Sequence, residues 1–323
     1  MNLLPQPHVL VSKCLGFASC RYNGLIIHSD FVEQLKPLVS FITVCPEVEI
    51  GLGVPREPIR IVFADGKSKL VQLASGRDVT SEMNAFSMHF LNSIKDIDGS
   101  ILKGRSPSCG IKDVKIYPAA EKSASLKKDK GFFGGAVLEH FPDLPIEDEG
   151  RLLNAKIREH FLTRLFLVPQ IKNLMAQHSM KELIAFHAQN KYLLMAYNQQ
   201  EMRVLGRIVA NLEKKSLDMI LNEYQKHFLS AIAHAPRYTS HINVLMHAAG
   251  YFSKELNKEE KRFFNDYLKK YRENKITLSS ILGILKSWIV RFNNEYLAQQ
   301  SYFKPYPEEL MELTDSGKGR DEI

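Results

Sequence analysis

Cys14, Cys45 and Cys109 each stand just past a short apolar run of strand-like composition. A thiolate is a soft anionic ligand. Three of them brought together hold a tetrahedral metal or a cubane iron-sulfur cluster and leave one corner open for substrate. That pattern points to an enzyme. Glu47, two residues beyond Cys45, adds a carboxylate where a substrate at the cluster edge would lie, and Ser106, three before Cys109, adds a hydroxyl able to donate or accept. Such a serine also serves as a turn-forming residue. Cys14 and Cys20 are separated by five residues, which is neither a CxxC redox pair nor a zinc-knuckle spacing, and a buried structural thiol accounts for that pair equally well.

The elements that must position these groups alternate. Stretches His8–Ser12, 41–44, 69–73 and Gly99–Leu102 are short and rich in β-branched or apolar residues, whereas 30–39 and 78–95 carry helical spacing. This alternation predicts crossover units and an α/β domain with a mainly parallel sheet. In such a sheet function gathers beyond the carboxyl ends of the strands, so the three cysteines can converge across 95 positions. A lysine-rich, turn-prone stretch follows at 122–130, then Gly131, Gly134 and Gly135 open a helix reaching 141. Those glycines suit either a bound anion or a tight turn.

The spacing of Leu152, Ile157, Phe161 and Leu165 predicts a helix over 147–168, with a domain boundary in 169–177. Beyond 178 nearly every segment is helical: 180–196, 200–213, 218–233, 239–253, 258–274 and 277–292 make about six helices, with Asn257 and Thr277 at N-cap positions. The organisation expected is an α/β domain over 1–170 and an all-α domain over 178–312, with a disordered tail at 314–323.

Composition narrows the class. At 323 residues, with 45% hydrophobic and 24% charged residues, the chain has the make-up of two soluble domains. No run reaches transmembrane length, and the start of the chain, with Pro5, Pro7 and His8, lacks the regions of a signal peptide, so a cytoplasmic protein without a membrane partner is expected. Four cysteines, all within the first 109 residues, exclude a secreted disulfide scaffold. The formal charge of +7 is unevenly spread: residues 178–304 hold 19 Lys plus Arg against 11 Asp plus Glu. A solvated helical surface explains such an excess, and nucleic acid is the functional reading of it. Lys191, Arg203, Arg207, Lys214 and Arg237 are the candidates for the phosphate backbone. His187, His241 and His247 invite a metal reading, but histidines at i and i+6 share a helix face poorly, so core hydrogen bonding or phosphate contact is expected of them.

Four elements agree in order with one family. Cys14-Leu15-Gly16, Arg21-Tyr22-Asn23-Gly24, Cys45-Pro46-Glu47 and Arg105-Ser106-Pro107-Ser108-Cys109-Gly110 resemble the signature of thiouracil desulfurases, with Asn23 in place of the usual aspartate. Phe186, His187, Lys191 to Met195, the His241 to His247 stretch and residues 302–310 resemble the YbgA-type helical domain. The combination is similar to bacterial two-domain desulfidases that take sulfur from 4-thiouridine in tRNA. The resemblance implies a [4Fe-4S] cluster on Cys14, Cys45 and Cys109, with Cys20 spare. It also implies iron acting as a Lewis acid on the thiocarbonyl without net redox change, Glu47 transferring the proton and Ser106 orienting base or water.

Two other readings stay open. Free thiouracil or another small thioamide would serve as substrate if the helical domain were for oligomerisation or regulation. An RNA-binding or redox-sensing protein with a purely structural cluster would need neither Glu47 nor Ser106.

Overall fold

The computed structural model describes residues 5–94, 96–119 and 123–311, and the tail expected to be disordered lies outside them. The chain divides into two compact units at Pro169/Gln170, with Leu310 counted to the first. In chain order the first unit contains β1 (His8–Ser12), α1 (Asp30–Leu35), β2 (Ser40–Val44), α2 (Pro46–Glu49), β3 (Ile59–Ala64), β4 (Lys67–Gln72) and α3 (Thr80–Ser93). It continues with β5 (Gly99–Leu102), β6 (Val114–Tyr117), β7 (Lys127–Asp129), α4 (Phe132–His140), β8 (Ile146–Asp148) and α5 (Ala155–Gln177), which crosses the boundary.

Two sheets form, where one was expected. The first has the order β2-β1-β5-β8 and is parallel throughout, with Ser12 opposite Val44 and Val11 opposite Ile101. Its central strand is apolar on both faces, as covered parallel strands are, and Val9, Leu10 and Val11 are fully buried. The second has the order β4-β3-β6-β7 and is mixed. The segment expected at 69–73 therefore pairs in the second sheet, as β4. One core joins the two: Leu10, Val44 and Leu102 from the first sheet pack with Ile59, Ile61, Leu70 and Ile116 from the second, with Met83 of α3 and with Phe133 of α4.

Several boundaries differ from expectation for physical reasons. The helix expected over 30–39 stops at Leu35: Lys36 keeps helical dihedrals, but Pro37 behind it donates no hydrogen bond to carry the helix on. Residues 127–129 of the lysine-rich stretch pair with β6 instead of turning. Glu147 lies in β8, and α5 starts only at Ala155, where the Asn154 side chain accepts from the Ile157 amide at 3.2 Å. The same helix runs through Pro169 to Gln177. Proline inside a helix costs about 3 kcal/mol. Ile171 and Leu174 are nearly fully buried beyond it, and burial of two such side chains contributes roughly 3–6 kcal/mol.

The second unit holds α6 (Met180–Tyr197), α7 (Gln199–Ala210), α8 (Leu217–Ala231), α9 (Tyr238–Gly250), α10 (Lys258–Arg272), α11 (Leu278–Arg291) and the short α12 (Glu295–Ala298). Asn257 caps α10 in a capping box with Glu260, whereas the Thr277 hydroxyl bonds Ser279 and Ser280 and caps no amide. Helix α7 ends earlier than expected, at an Asn211 in the left-handed conformation. No helix among the described residues is long and apolar enough to cross a membrane.

Two histidines weighed as ligands are engaged within this unit. His187 Nδ1 meets the Tyr224 hydroxyl at 3.2 Å and His241 Nδ1 meets that of Tyr302 at 2.9 Å, while His247 is exposed. Burial lowers the His241 pKa to about 4. The folded state then binds fewer protons than the unfolded chain between about pH 6.5 and 4, so stability is full above pH 6.5 and falls as the solution is acidified through that window. Denaturant titrations from pH 7 to pH 4 should show about 2–3 kcal/mol of loss in the wild type that His241→Gln does not share.

The glycines at the start of α4 are explained by close approach. A Cβ on Gly134 would lie 2.4 Å from the carbonyl oxygens of both Cys109 and Gly110, whereas one on Gly135 would meet nothing nearer than 3.5 Å. Gly134→Ala should therefore lower unfolding stability by about 1–3 kcal/mol and displace the loop that carries Cys109. Gly135→Ala should leave stability unchanged or raise it by about 0.5–1 kcal/mol, the helix propensity gain. Denaturant unfolding of the two variants checks the contrast.

Candidate active site

The first sheet delivers its groups at one edge. Since β1, β2 and β5 are parallel and in register, their carboxyl ends lie side by side, and Cys14, Cys45 and the 103–109 loop follow them. A cavity of about 340 Å³ opens there, lined by all four cysteines and by Glu47, Arg56, Ser106 and Ser108 among others. The size suits a nucleobase-sized ligand.

The cysteines are all buried and reduced. Cys45 Sγ donates to the Cys20 backbone carbonyl oxygen at 3.6 Å, and the Cys20 thiol is coupled through its side chain to both Cys14 and Cys45, so Cys20 stands between two of the predicted ligands. Burial and position do not set it apart from the other three. The bond to Cys20 and then burial push the Cys45 thiol up, the bond to Cys14 does so for Cys20, and burial carries Cys109 to about 12. Thiols this reluctant to ionise do so when a cation takes their charge. Among the described residues no three His, Cys, Asp or Glu side chains are gathered for a single metal ion. Sulfurs distributed around a cavity fit a group of several metal atoms.

Glu47 sits in α2, directly after the Pro46 that fixes the first helical position. Its carboxylate is held from two sides. Ser108 Oγ donates to Oε1 at 2.6 Å, and Arg56 Nε and Nη2 both approach Oε2 at 2.8 Å. The side chains of Arg56 and Glu47 are 3% and 13% exposed, so this is a buried ion pair, and Arg56 Nη1 is spent on the Gly53 carbonyl. Arg56 Nη2 also lies 4.0 Å from Cys45 Sγ.

Hydroxyl inventory fixes the direction of the remaining bonds. Ser108 has one hydrogen, and a carboxylate 2.6 Å away takes it in preference to Cys109 Sγ at 3.8 Å. Ser106 must then donate across the 2.9 Å to Ser108 Oγ, while its own oxygen accepts the amides of Cys109 at 3.1 Å and Ser108 at 3.3 Å. A chain Ser106–Ser108–Glu47–Arg56 results. Ser106 thus has the turn role weighed for it and also heads a hydrogen-bonded line to the carboxylate.

Sequence reasoning missed Arg56 and Ser108. Ser108 lay inside a quoted motif, but alternation in a loop gives no sign of which hydroxyl points at Glu47. Arg56 lies in a Pro-flanked segment whose path only the fold closes. The anion reading of the 131–135 glycines is overturned, because the amides of Gly131, Phe132 and Gly134 already donate to the carbonyls of Gly110, Pro107 and Ser108 at 2.7, 3.1 and 2.9 Å. They fasten the cysteine loop to α4.

The mouth is cationic. Arg21, Lys103 and Arg105 line the cavity. Lys103 is paired with Glu149, whose other oxygen takes the Gly104 amide at 2.7 Å. Arg105, exposed, is held at φ 59°, a left-handed conformation that side chains rarely adopt. In the helical unit Lys191, Arg203, Arg207, Lys214 and Arg237 are exposed, and Arg203 and Arg207 share a face of α7.

A family model described as 2-thiouracil desulfurase matches residues 9–149, and one described as a protein of unknown function, DUF1722, matches residues 191–307. Over 109 residues the chain is 38% identical to the uncharacterized protein YbbK of Bacillus subtilis, covering 32% of this chain and 72% of that protein. Over 159 residues it is 28% identical to the uncharacterized protein YbgA of Escherichia coli, covering 48% of this chain and 93% of that one. A solved structure titled a [4Fe-4S]-dependent thiouracil desulfidase, TudS, is 26% identical and covers 46% of this chain and 93% of its own, with a TM-score of 0.37.

Removing one partner of a buried ion pair leaves the other charge uncompensated and costs about 3–5 kcal/mol. Arg56→Ala should lose that much stability, whereas Arg56→Lys, which keeps the charge, should lose less. Chemical denaturation of the metal-free protein measures both.

Proposed function

From the premise that the chain belongs to the 2-thiouracil desulfurase family, extended by a DUF1722 domain, we propose a non-redox desulfidase whose substrate is 4-thiouridine in tRNA. The observation that carries it is a buried carboxylate, Glu47, bonded to Ser108 and Arg56 inside a cavity lined by four thiols. A structural cluster would need no such carboxylate.

The donor set fits a [4Fe-4S] cluster, which Cys14, Cys45 and Cys109 would hold through three thiolates from the loops that follow three adjacent strands. When bound, the cluster supplies a soft Lewis-acidic iron that prefers the thiocarbonyl sulfur to the oxygen of water. The rest falls to the chain. Glu47 takes a proton from the water that adds at the carbon and gives it back as the carbon–sulfur bond opens, so that thiocarbonyl plus water yields carbonyl plus hydrogen sulfide with no electrons exchanged. Arg56 and Ser108 hold the two carboxylate oxygens in place. Ser106, whose hydrogen goes to Ser108 and whose oxygen takes the amides of Ser108 and Cys109, holds Ser108 against Glu47 and so positions the carboxylate. Cys20 is assigned no ligand role.

RNA is favoured over a free base by charge. The cationic mouth and the excess of eight positive charges over residues 178–304 complement a phosphate backbone, where Lys191, Arg203, Arg207, Lys214 and Arg237 would fix position without reading sequence. Free thiouracil, which needs only the cavity lined by the cysteines and Glu47, is the natural second substrate.

Incubation of anaerobically loaded protein with thiolated tRNA, followed by mass spectrometry of the nucleosides, tests the reading: uridine should replace 4-thiouridine. Glu47→Gln should keep its iron and lose turnover by about 10²–10⁴. Turnover within a few-fold of wild type would remove Glu47 from the chemistry.

A further inference from the structure

The second sheet has a chemically distinct outer face. Strand alternation and register fix its members: Arg60 lies opposite Val71, Val62 opposite Lys69, Ala64 opposite Lys67 and Lys115 opposite Lys128, with Tyr117 opposite Val62. The other face, with Ile59, Ile61, Leu70, Val114 and Ile116, belongs to the core. The outer face therefore carries five cations, and its described strand positions include no carboxylate. Among the carboxylates of the described residues that meet it are Asp65, 3.6 Å from Lys69, and Asp113, 3.5 Å from Lys128, both at its rim, and Asp78, whose charge Lys69 also feels. Exposed pairs of this kind are worth about 0–1 kcal/mol, too little to withhold a lysine from a phosphate.

Lysines on edge strands guard against edge-to-edge pairing, which accounts for β4 and β7. It does not account for Arg60 and Lys115, which lie on the two inner strands. Both of those strands leave from the active-site cavity. Pro58 and Ile59 line it at the start of β3, and β6 begins five residues after Cys109. At about 3.3 Å per residue β3 carries the face roughly 17 Å away from the cavity. Arg60 lies over the Tyr117 ring at 4.0 Å near that start.

We propose that this face is a nucleic-acid backbone track: with the thiobase in the cavity, phosphates flanking it run along Arg60, Lys69, Lys67, Lys115 and Lys128. The proposal rests on the reading of RNA as substrate and adds a second grip, on the α/β unit itself.

The test uses the full chain with Lys67, Lys69, Lys115 and Lys128 all changed to Gln, and a single Lys115→Glu as a milder probe. Binding of 4-thiouridine-containing tRNA is measured from 50 to 200 mM salt, alongside turnover of free 2-thiouracil. The expected result is at least tenfold weaker tRNA binding at low salt and a log-log salt slope flatter by about 3, since each neutralised phosphate adds about 0.7–0.9 to that slope, with thiouracil turnover unchanged. Wild-type affinity and slope in both variants would overturn the track. If the wild type binds no tRNA, the RNA reading fails and the track with it. If it binds, and reversal of Arg203 and Arg207 weakens it while the sheet variants do not, the track alone fails.

Discussion

Everything at the site depends on the parallel, in-register pairing of β1 between β2 and β5. A shift of one residue in either pairing would exchange the two packed faces of the shifted strand, force side chains of the wrong shape into each layer and move a cysteine away from the shared edge. Since Val9, Leu10, Val11, Ile101 and Leu102 are all essentially fully buried, burial of their side chains fixes that register far more strongly than any interaction among the thiols does. The cysteines therefore arrive together because of residues with no chemistry of their own.

Around that edge the polar groups are tied down by specific contacts. The loop bearing Cys109 is held from below by the amides at the start of α4, from one side by Glu149 on Gly104 and internally by the Ser106 oxygen. Glu47 is fixed by Ser108 and Arg56, so the carboxylate assigned to proton transfer needs no rearrangement to keep its orientation. In the proposed reaction a rigid carboxylate beside soft thiols would separate the two tasks: sulfur would be selected by ligand softness, and the proton handled by oxygen.

Much of this was legible in the sequence, and the reasons for the rest are local. Apolar runs of four or five residues flanked by turn residues marked β1, β2 and β5, and the motifs around Cys14, Cys45 and Cys109 placed five residues that line one cavity. The second sheet was not legible as a sheet. Its strand β7, Lys-Lys-Asp, has no intrinsic strand preference and exists because β6 offers it a partner. Pro169 read as a helix end because local sequence does not show that Ile171 and Leu174 find a core beyond it. Arg56 was missed and Ser108 was given no role, because their importance lies in which side chain they touch; Cys20 was set aside on the resemblance alone. In the helical unit the 3.6-residue period alone located six helices, with errors confined to their ends.

The central claim is hydrolysis of a carbon–sulfur bond at this cavity without electron transfer. Its most direct test is mass spectrometry of the uracil formed when anaerobically loaded protein turns over 2-thiouracil in ¹⁸O-labelled water with no reductant present. The account predicts one labelled oxygen in each uracil and one sulfide released for each. Uracil without label, or turnover only when a reductant is added, would contradict it.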